Sequence, residues 1–557
     1  MLFCNKSLST NGKNGGYKIV LTGETAIMSD YGGETLLGFA SALPERWIRG
    51  FVEDRLFPTR SDAHGRMRLA PYGIAKVEAS LLAHGFTRDE VIIADPRKLS
   101  EVVGSNTAVV GITTMDPMGI SYGIGIVNLM LQAAGLKYEG IPYISRSFFD
   151  VVNHPSIIKY KPKLIVGGPA SWQLVDTGSH EPLGVDCVFE GEFERDGWKL
   201  FDAAAHGSQI PKKFRGGIPS VQEIPQIVTP SIGGEVEISR GCGRGCKFCT
   251  PTLLRWLCMP YDLIEKEIRF NLENGDRRHI SLHSEEFFKY GSSNVFLPNR
   301  EKVLTLLRRV DVIRKEYEGK YGESEIRVTT DFSTAVAVVA DPELVRLASE
   351  YINPGNSSSY IEMGIETGSP RMIDIIMPGK VRPFTAKEYP SIVERAIGIL
   401  NDHRWIVVGT MVMNFPGETD DDLIKSLELI DKLKSYKVLI WTLPFIPMGG
   451  LRRKGWTILE DILDHPLRRE LLVRGLYKTF SMMSKEVNSP TEAMNSVFDK
   501  LVWTPISKFG FAYMMLQMKR QLKGDIRKTL LLEKLSTDEH EEDTGEEGKK
   551  LLPLLHK

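Results

Sequence analysis

The sequence predicts an α/β protein: a doubly wound domain, then a partial β/α barrel, then a helical carboxyl-terminal region. Three observations carry this reading. Short runs of continuous apolar residues alternate with amphipathic helical patterns, as strands buried on both faces of a parallel sheet require. The alternation occurs twice, and a Pro- and Gly-rich stretch without periodicity separates the two rounds. The length, 557 residues, suits more than one hydrophobic core.

Residues 1–16 are polar and rich in Gly, Asn and Ser, and read as a loose end. YKIVL (17–21) is the first buried strand. YGIAKVEASLLAHG (72–85) has apolar residues at 74, 77, 81 and 82 and a terminal Gly, the pattern of an amphipathic helix with its stop. Strands follow at 91–95 and 108–113, then a helical pattern at 126–134, then strands at 164–168 and 187–189. Residues 17–205 therefore form one doubly wound domain, whose ligand would sit at the carboxyl ends of its strands. Those ends are Thr113-Thr114-Met115-Asp116 and Gly167-Gly168-Pro169-Ala170.

Residues 206–232 read as a linker. The second round, 233–455, has strand candidates at 236–239, 279–283, 326–330, 360–365, 406–413 and 438–443. Helical patterns lie between them at 261–274, 299–317, 342–351, 384–401 and 419–434, which suggests a partial β/α barrel. Residues 456–535 look mainly helical. The tail 536–557 begins with seven acids within ten residues (538–547) and reads as disordered.

Composition narrows the function classes. Apolar residues are 42% and charged residues 25%, which excludes collagen, coiled coil and wholesale disorder. With 70 basic and 71 acidic residues the formal charge is −1, so no global field draws nucleic acid or an anionic membrane. Six cysteines are too few for a disulfide scaffold. The first residues hold no apolar signal core, and no run approaches the ~18 apolar residues of a membrane span. The expected setting is cytoplasmic.

One motif carries chemistry. After the strand VEIS comes RGCGRGCKFCTP, with Cys242, Cys246 and Cys249 in a C-x3-C-x2-C pattern. Thiolates are soft ligands for iron–sulfur clusters and zinc, and Gly243 and Gly245 permit tight backbone approach. A four-iron cluster normally takes four cysteines, so three would leave one iron open to a substrate or cofactor. A closed zinc site would need a fourth ligand, for which Cys258 or His283 is available.

This motif, after the first strand of a six-strand β/α pattern, resembles the radical S-adenosylmethionine (SAM) superfamily over residues ~234 to 450. The resemblance implies a 4Fe–4S cluster held by Cys242, Cys246 and Cys249, whose open iron chelates SAM. It further implies reductive cleavage of SAM to a 5′-deoxyadenosyl radical, which abstracts hydrogen from substrate carbon, and a ferredoxin-like protein as reductant. Phe248 matches the aromatic whose backbone meets adenine. His283-Ser284-Glu285-Glu286 occupies the place of the motif that holds the SAM amino group, with Ser284 and Glu285 the candidates, and departs from the usual Gly-Gly-Glu. IEMGIETGS (361–369) resembles the ribose-binding motif, through Glu362 and Glu366. VVGTMVMNFPGET (407–419), including Gly409, matches the segment near adenine.

The first domain resembles the cobalamin-binding domain that precedes the barrel in one subgroup, through LIVGGPA (164–170) and VDCVFEGEFE (185–194). That likeness implies cobalamin, but Asp116-Pro117-Met118-Gly119 stands where a cobalt-ligating histidine is expected. YGIAKVEASLLAHGF, GCGRGCKFCTP and ISLHSEEFFKYG resemble archaeal members, among them glycerol dialkyl glycerol tetraether (GDGT) ring synthases. The implied function is functionalisation of an unactivated C–H carbon, specifically cyclopentane ring formation in an apolar tetraether lipid. The competing function is cobalamin-dependent C-methylation of a peptide, tetrapyrrole or nucleic acid. The segment 509–528, apolar and Met-rich and then basic, would support peripheral membrane contact, and equally reads as a helix packed on the barrel. No basic stripe with interleaved aromatics lies outside it, so no nucleic-acid partner is expected.

Overall fold

The apolar runs of the first half assemble into one six-stranded parallel sheet, ordered β2-β1-β3-β4-β5-β6. Its strands are β1 (Ile19–Gly23), β2 (Val91–Ile93), β3 (Val109–Thr113), β4 (Lys163–Gly167), β5 (Cys187–Glu190) and β6 (Lys213–Arg215). This computed structural model describes residues 15–31, 35–250, 254–275, 278–322, 325–447 and 462–486, with scattered positions between 510 and 520. Strand alternation splits the sheet's two faces between two cores. Ile19 and Leu21 join the cluster of Tyr72, Leu81 and Phe201, while Val20 joins that of Leu99, Phe148 and Val166. Strand order reverses between β1 and β3, which puts the switch-point crevice at Glu24 and at Thr114 to Asp116. The stretch 206–232, expected to be irregular, contributes β6. Two of its three residues are charged and, as the edge strand of the sheet, it pairs only with β5, so no apolar run marked it.

The second half places six parallel strands in two arcs, β7-β10-β11 and β12-β13-β14. They are β7 (Glu235–Glu237), β10 (His279–His283), β11 (Arg327–Thr330), β12 (Ser359–Glu366), β13 (Trp405–Met413) and β14 (Val438–Pro444). A bridge from Phe332 to Glu362 joins the arcs into a partial barrel. The run 236–239, read as one strand, is divided: beyond Ile238 the chain forms β8 (Ser239–Arg240), antiparallel to β9 (Leu257–Cys258). These two short strands hold both ends of the cysteine loop. Helices Tyr261–Asn274, Arg300–Tyr321, Pro342–Ile352, Tyr389–Asp402 and Asp420–Lys432 cover the outside.

Helix Pro466–Glu486 packs along β14 and satisfies its open edge. The Thr479 hydroxyl accepts from the Ile440 N–H at 2.7 Å and donates to the Ile440 carbonyl at 2.7 Å. Among the described residues no helix is long and apolar enough to cross a membrane. The acidic tail and most of 509–528 lie outside the described residues.

Candidate functional site

The cysteine loop is fixed by backbone that only glycine adopts easily. Gly241 has φ +73°, and a Cβ there would stand 2.7 Å from the Arg255 carbonyl oxygen. Gly243 has φ +71° and packs under Val295. The three thiols are neighbours: burial raises the Cys246 pKa to about 11, with the Cys242 charge adding to the rise. Burial and the Cys246 charge likewise push Cys249 up. Cys258 stands apart on β9, where its sulfur accepts from the Gly291 N–H at 3.3 Å. Among the described residues no three His, Cys, Asp or Glu side chains converge on one ion. Three thiolates spread along one loop suit a cluster, each binding a different iron, better than a single tetrahedral zinc.

Buried ions brace this loop. Lys289 is fully buried, and its ammonium donates to the carbonyls of Cys242 (2.8 Å) and Val295 (2.9 Å) and lies 4.4 Å from the Trp256 ring centre. Arg244, between the first two cysteines, donates to the Lys380 carbonyl at 3.1 Å and stands 3.8 Å from Glu286. Lys380 pairs with Glu366, both buried. Just before the loop, Arg240 forks across three carboxylates. It reaches Glu192 at 2.7 Å and Glu194 and Glu237 at 2.8 Å each, which ties the β5–β6 loop to the barrel. A second tie joins the halves: buried Glu267 accepts from the Lys76 ammonium, the Tyr72 hydroxyl and the Ile227 N–H.

Inside the barrel the strand faces divide by chemistry. On the β7–β12 side stand Glu235, His283, Glu285, Asp331 and Glu362. Burial raises Glu235 and Glu362 to about 7, and the Asp331 charge adds to both. Burial alone would lower His283, but its hydrogen bond to Asp331 and the charges of Glu235 and Asp331 hold it at about 9. On the other side, β13 alternates buried residues against the helices with Ile406, Val408, Thr410 and Val412 toward the interior. β14 adds Trp441 and Leu443. The first domain closes this side: Phe39 stacks on Trp441 at 5.5 Å, and helix Tyr122–Ala133 packs on β14. Tyr122 senses the charges of Glu362, Cys249 and Glu285, so it faces the same interior.

The residues singled out from the sequence separate accordingly. Phe248 packs edge-on to Phe415 (5.3 Å), which contacts Phe445 (5.2 Å), an aromatic group beside the cysteine loop. Glu285 and Glu362 face the interior with His283. Ser284 does not: it is fully buried, hydrogen-bonded to Ser239 at 2.6 Å and to the Glu286 N–H at 3.1 Å. Glu366 is engaged by Lys380. Gly409 lies on the outer face of β13, where a Cβ would meet Ile365 at 2.5 Å, so it allows packing rather than ligand approach. The alternation of side chains along β10 and β13 accounts for Ser284 and Gly409. Sequence reasoning missed Lys289, Arg240, Asp331, Tyr122 and Phe39. The Arg two residues before the first cysteine and the acids of GEFE (191–194) were the one signal for the fork.

At the switch point of the first domain, Asp116 accepts from the Ile120 and Ser121 N–H groups and from Gln173 (2.7 Å), and it shapes the loop to Ser121. Residues 116–119 carry no imidazole, so this loop offers no cobalt ligand.

Residues 236–430 match the radical SAM superfamily. A tRNA-2-methylthio-N(6)-dimethylallyladenosine synthase of Magnetococcus marinus is 27% identical over 222 residues, 39% of this chain and 46% of that protein. A ribosomal protein uS12 methylthiotransferase RimO of Clostridioides difficile is 23% identical over 216 residues, 38% of this chain and 43% of that protein. The chain spans about half the length of the curated relatives it matches. It carries a radical SAM enzyme domain, and the cofactors of that superfamily are a 4Fe–4S cluster and SAM.

Proposed function

We propose that the chain is a radical SAM enzyme that functionalises an unactivated C–H bond in a substrate with a long hydrocarbon portion. Its specific reaction is cyclopentane ring formation in an archaeal tetraether membrane lipid. The observation that carries this reading is the divided interior. An apolar wall of Val408, Val412, Trp441 and Leu443 faces an acidic one across the same space.

Cys242, Cys246 and Cys249 would hold the cluster. When bound, the reduced cluster supplies the electron that cleaves SAM to the hydrogen-abstracting radical. The chain's own residues bind and orient. SAM carries two cationic groups and one carboxylate, and Glu285 and Glu362 offer negative charge toward it. Phe248 and Phe415 offer aromatic surface for adenine. The β13–β14 wall, with Phe39 stacked on Trp441, offers apolar surface to an alkyl chain. Radical abstraction suits such a chain because an unfunctionalised alkyl C–H has no polar group for acid–base chemistry to act on.

Methylthio transfer, named for the relatives, is the second reading. It needs a sulfur source besides SAM. Among the described residues the remaining cysteines do not form a second cluster-like set: Cys187 is buried in β5 and Cys258 accepts from the Gly291 N–H. The acidic interior also disfavours a polyanionic substrate such as tRNA.

The test is incubation of reduced, reconstituted enzyme with perdeuterated tetraether lipid. Deuterium in 5′-deoxyadenosine and a lipid product that has lost two deuterium atoms support the proposal. SAM cleavage without deuterium transfer rejects the lipid. Bound corrinoid with S-adenosylhomocysteine and a methylated product would identify C-methylation instead, and methylthiolated RNA or protein the relatives' chemistry.

A further inference from the structure

Three buried cations and two buried carboxylates flank the cysteine loop, and the charge of Glu285 reaches it from the interior. Arg244, Lys289 and Lys380 have side chains exposed by less than a tenth, as do Glu286 and Glu366. Lys380 and Glu366 neutralise one another directly. Arg244 faces Glu286, although at 3.8 Å, and its Nε and Nη2 find no hydrogen-bond acceptor. Among the described residues Lys289 makes no ion pair at contact distance; burial lowers its pKa against the pull of the Glu286 charge. Its ammonium is spent on two backbone carbonyls, one of them that of Cys242, and on the face of Trp256.

A buried lysine without a direct ion pair is costly unless something nearby is negative. Packing alone would be served by an apolar residue. A 4Fe–4S cluster on three thiolates is anionic, and taking up one electron makes it more so. A fixed positive charge at the first-ligand end of the loop favours that electron. Hydrogen bonding, burial and local charge are the levers a protein has on such a potential.

We propose that Lys289 is a positioning residue for cluster reduction. Tied to the Cys242 and Val295 carbonyls, it fixes the start of the ligand loop and supplies positive charge, held by no direct ion pair, that makes the reduced cluster accessible. The proposal rests on the cysteine trio holding a 4Fe–4S cluster, and iron and sulfide content reads that premise separately.

The experiment is an anaerobic redox titration, followed by electron paramagnetic resonance, of the full chain and its Lys289→Gln and Lys289→Arg variants. Glutamine keeps a hydrogen-bond donor and loses the charge; arginine keeps both. With wild-type iron and sulfide content, K289Q should show about a tenfold lower ratio of reduced to oxidised cluster at fixed potential, a shift of about 59 mV for one electron. K289R should restore most of it. Glu286→Gln provides an independent arm, since removal of a buried negative charge beside Arg244 should move the ratio the other way. An unchanged potential in a fully loaded K289Q would overturn the proposal. If K289Q fails to load a cluster, an unchanged potential in E286Q overturns it instead. Absence of iron from the wild-type protein would overturn the underlying reading rather than the role of Lys289.

Discussion

Replacing Arg240 with methionine should destabilise the protein strongly and in a pH-dependent way. The guanidinium makes four contacts of 2.7–2.8 Å to Glu192, Glu194 and Glu237. Side-chain exposures are 13% for the arginine and 10%, 4% and 9% for its partners, so water replaces little of what is lost. Removing one partner of a buried pair costs about 3–5 kcal/mol, chiefly because the opposite charge is left uncompensated. Here three carboxylates are left. At about 2.1 cal/mol/K of unfolding entropy per residue, that corresponds for a chain of this size to a fall in Tm of roughly 3–4 °C. Even with the arginine present, burial holds the Glu192 pKa above its ordinary value, against the pull of Arg240. Without it the Glu192 value should rise further. A group with a raised folded pKa penalises the folded state fully above that value and not at all below its unfolded pKa, ~4.3 for Glu. The deficit of R240M should therefore be largest near pH 8 and shrink toward pH 5. Thermal unfolding followed by circular dichroism at both pH values measures it, with R240K expected to be intermediate because it keeps charge without the fork. A Tm within about 1 °C of wild type at pH 8, or a deficit that grows on acidification, would show that Arg240 does not hold these carboxylates in the folded state.

Other substitutions address the interior and the second tie. Glu362, held at about 7, ionises across neutrality, so SAM affinity should rise from pH 6 to 8. E362Q should flatten that rise and weaken binding about fivefold at pH 8, read by equilibrium dialysis; an unaltered pH profile would remove Glu362 from the SAM site. Trp441→Ala deletes the partner of Phe39 on the apolar wall. It should raise the KM for an alkyl substrate about tenfold while SAM affinity stays constant, and equal losses for both ligands would argue against separate walls. Lys76→Met strands Glu267 and should cost about 3–5 kcal/mol in denaturant unfolding. Adding Glu267→Gln should recover much of that loss, and strictly additive losses would show that the two do not act as a pair.

The sequence was most informative where chemistry and periodicity are local. Runs such as AVVGIT and IVVGTMVM are apolar because both faces of their strands are covered, and they became β3 and β13. The cysteine spacing is likewise a property of one loop. β6 escaped notice because an edge strand of Lys-Phe-Arg needs no apolar run. Helix Ala335–Ala340 (AVAVVA) is continuously apolar and β-branched. Only the cap by Thr334, whose hydroxyl accepts from the Ala337 N–H, and the barrel packing around it make it helical. The ion pairs of the site were invisible for a different reason. Lys289 meets Cys242 across 47 residues and His283 meets Asp331 across 48, separations that the barrel bridges, while Arg240 meets Glu192 across 48 through the docking of the first domain on it. Ser284 and Glu366 sit in recognisable motifs. Which way each side chain points depended on strand register and on the partner each one found, Ser239 and Lys380.

The central claim is that Cys242, Cys246 and Cys249 hold a cluster that cleaves SAM reductively. Its most direct test is anaerobic reconstitution of the wild-type chain and a triple Cys242→Ala, Cys246→Ala, Cys249→Ala variant. Iron, sulfide and zinc are assayed, and each protein is then incubated with dithionite and SAM. About four iron and four sulfide per wild-type chain, with 5′-deoxyadenosine released by it and none by the variant, is the predicted result. Zinc without iron or sulfide in the wild type, or equal 5′-deoxyadenosine from both proteins, would contradict the account.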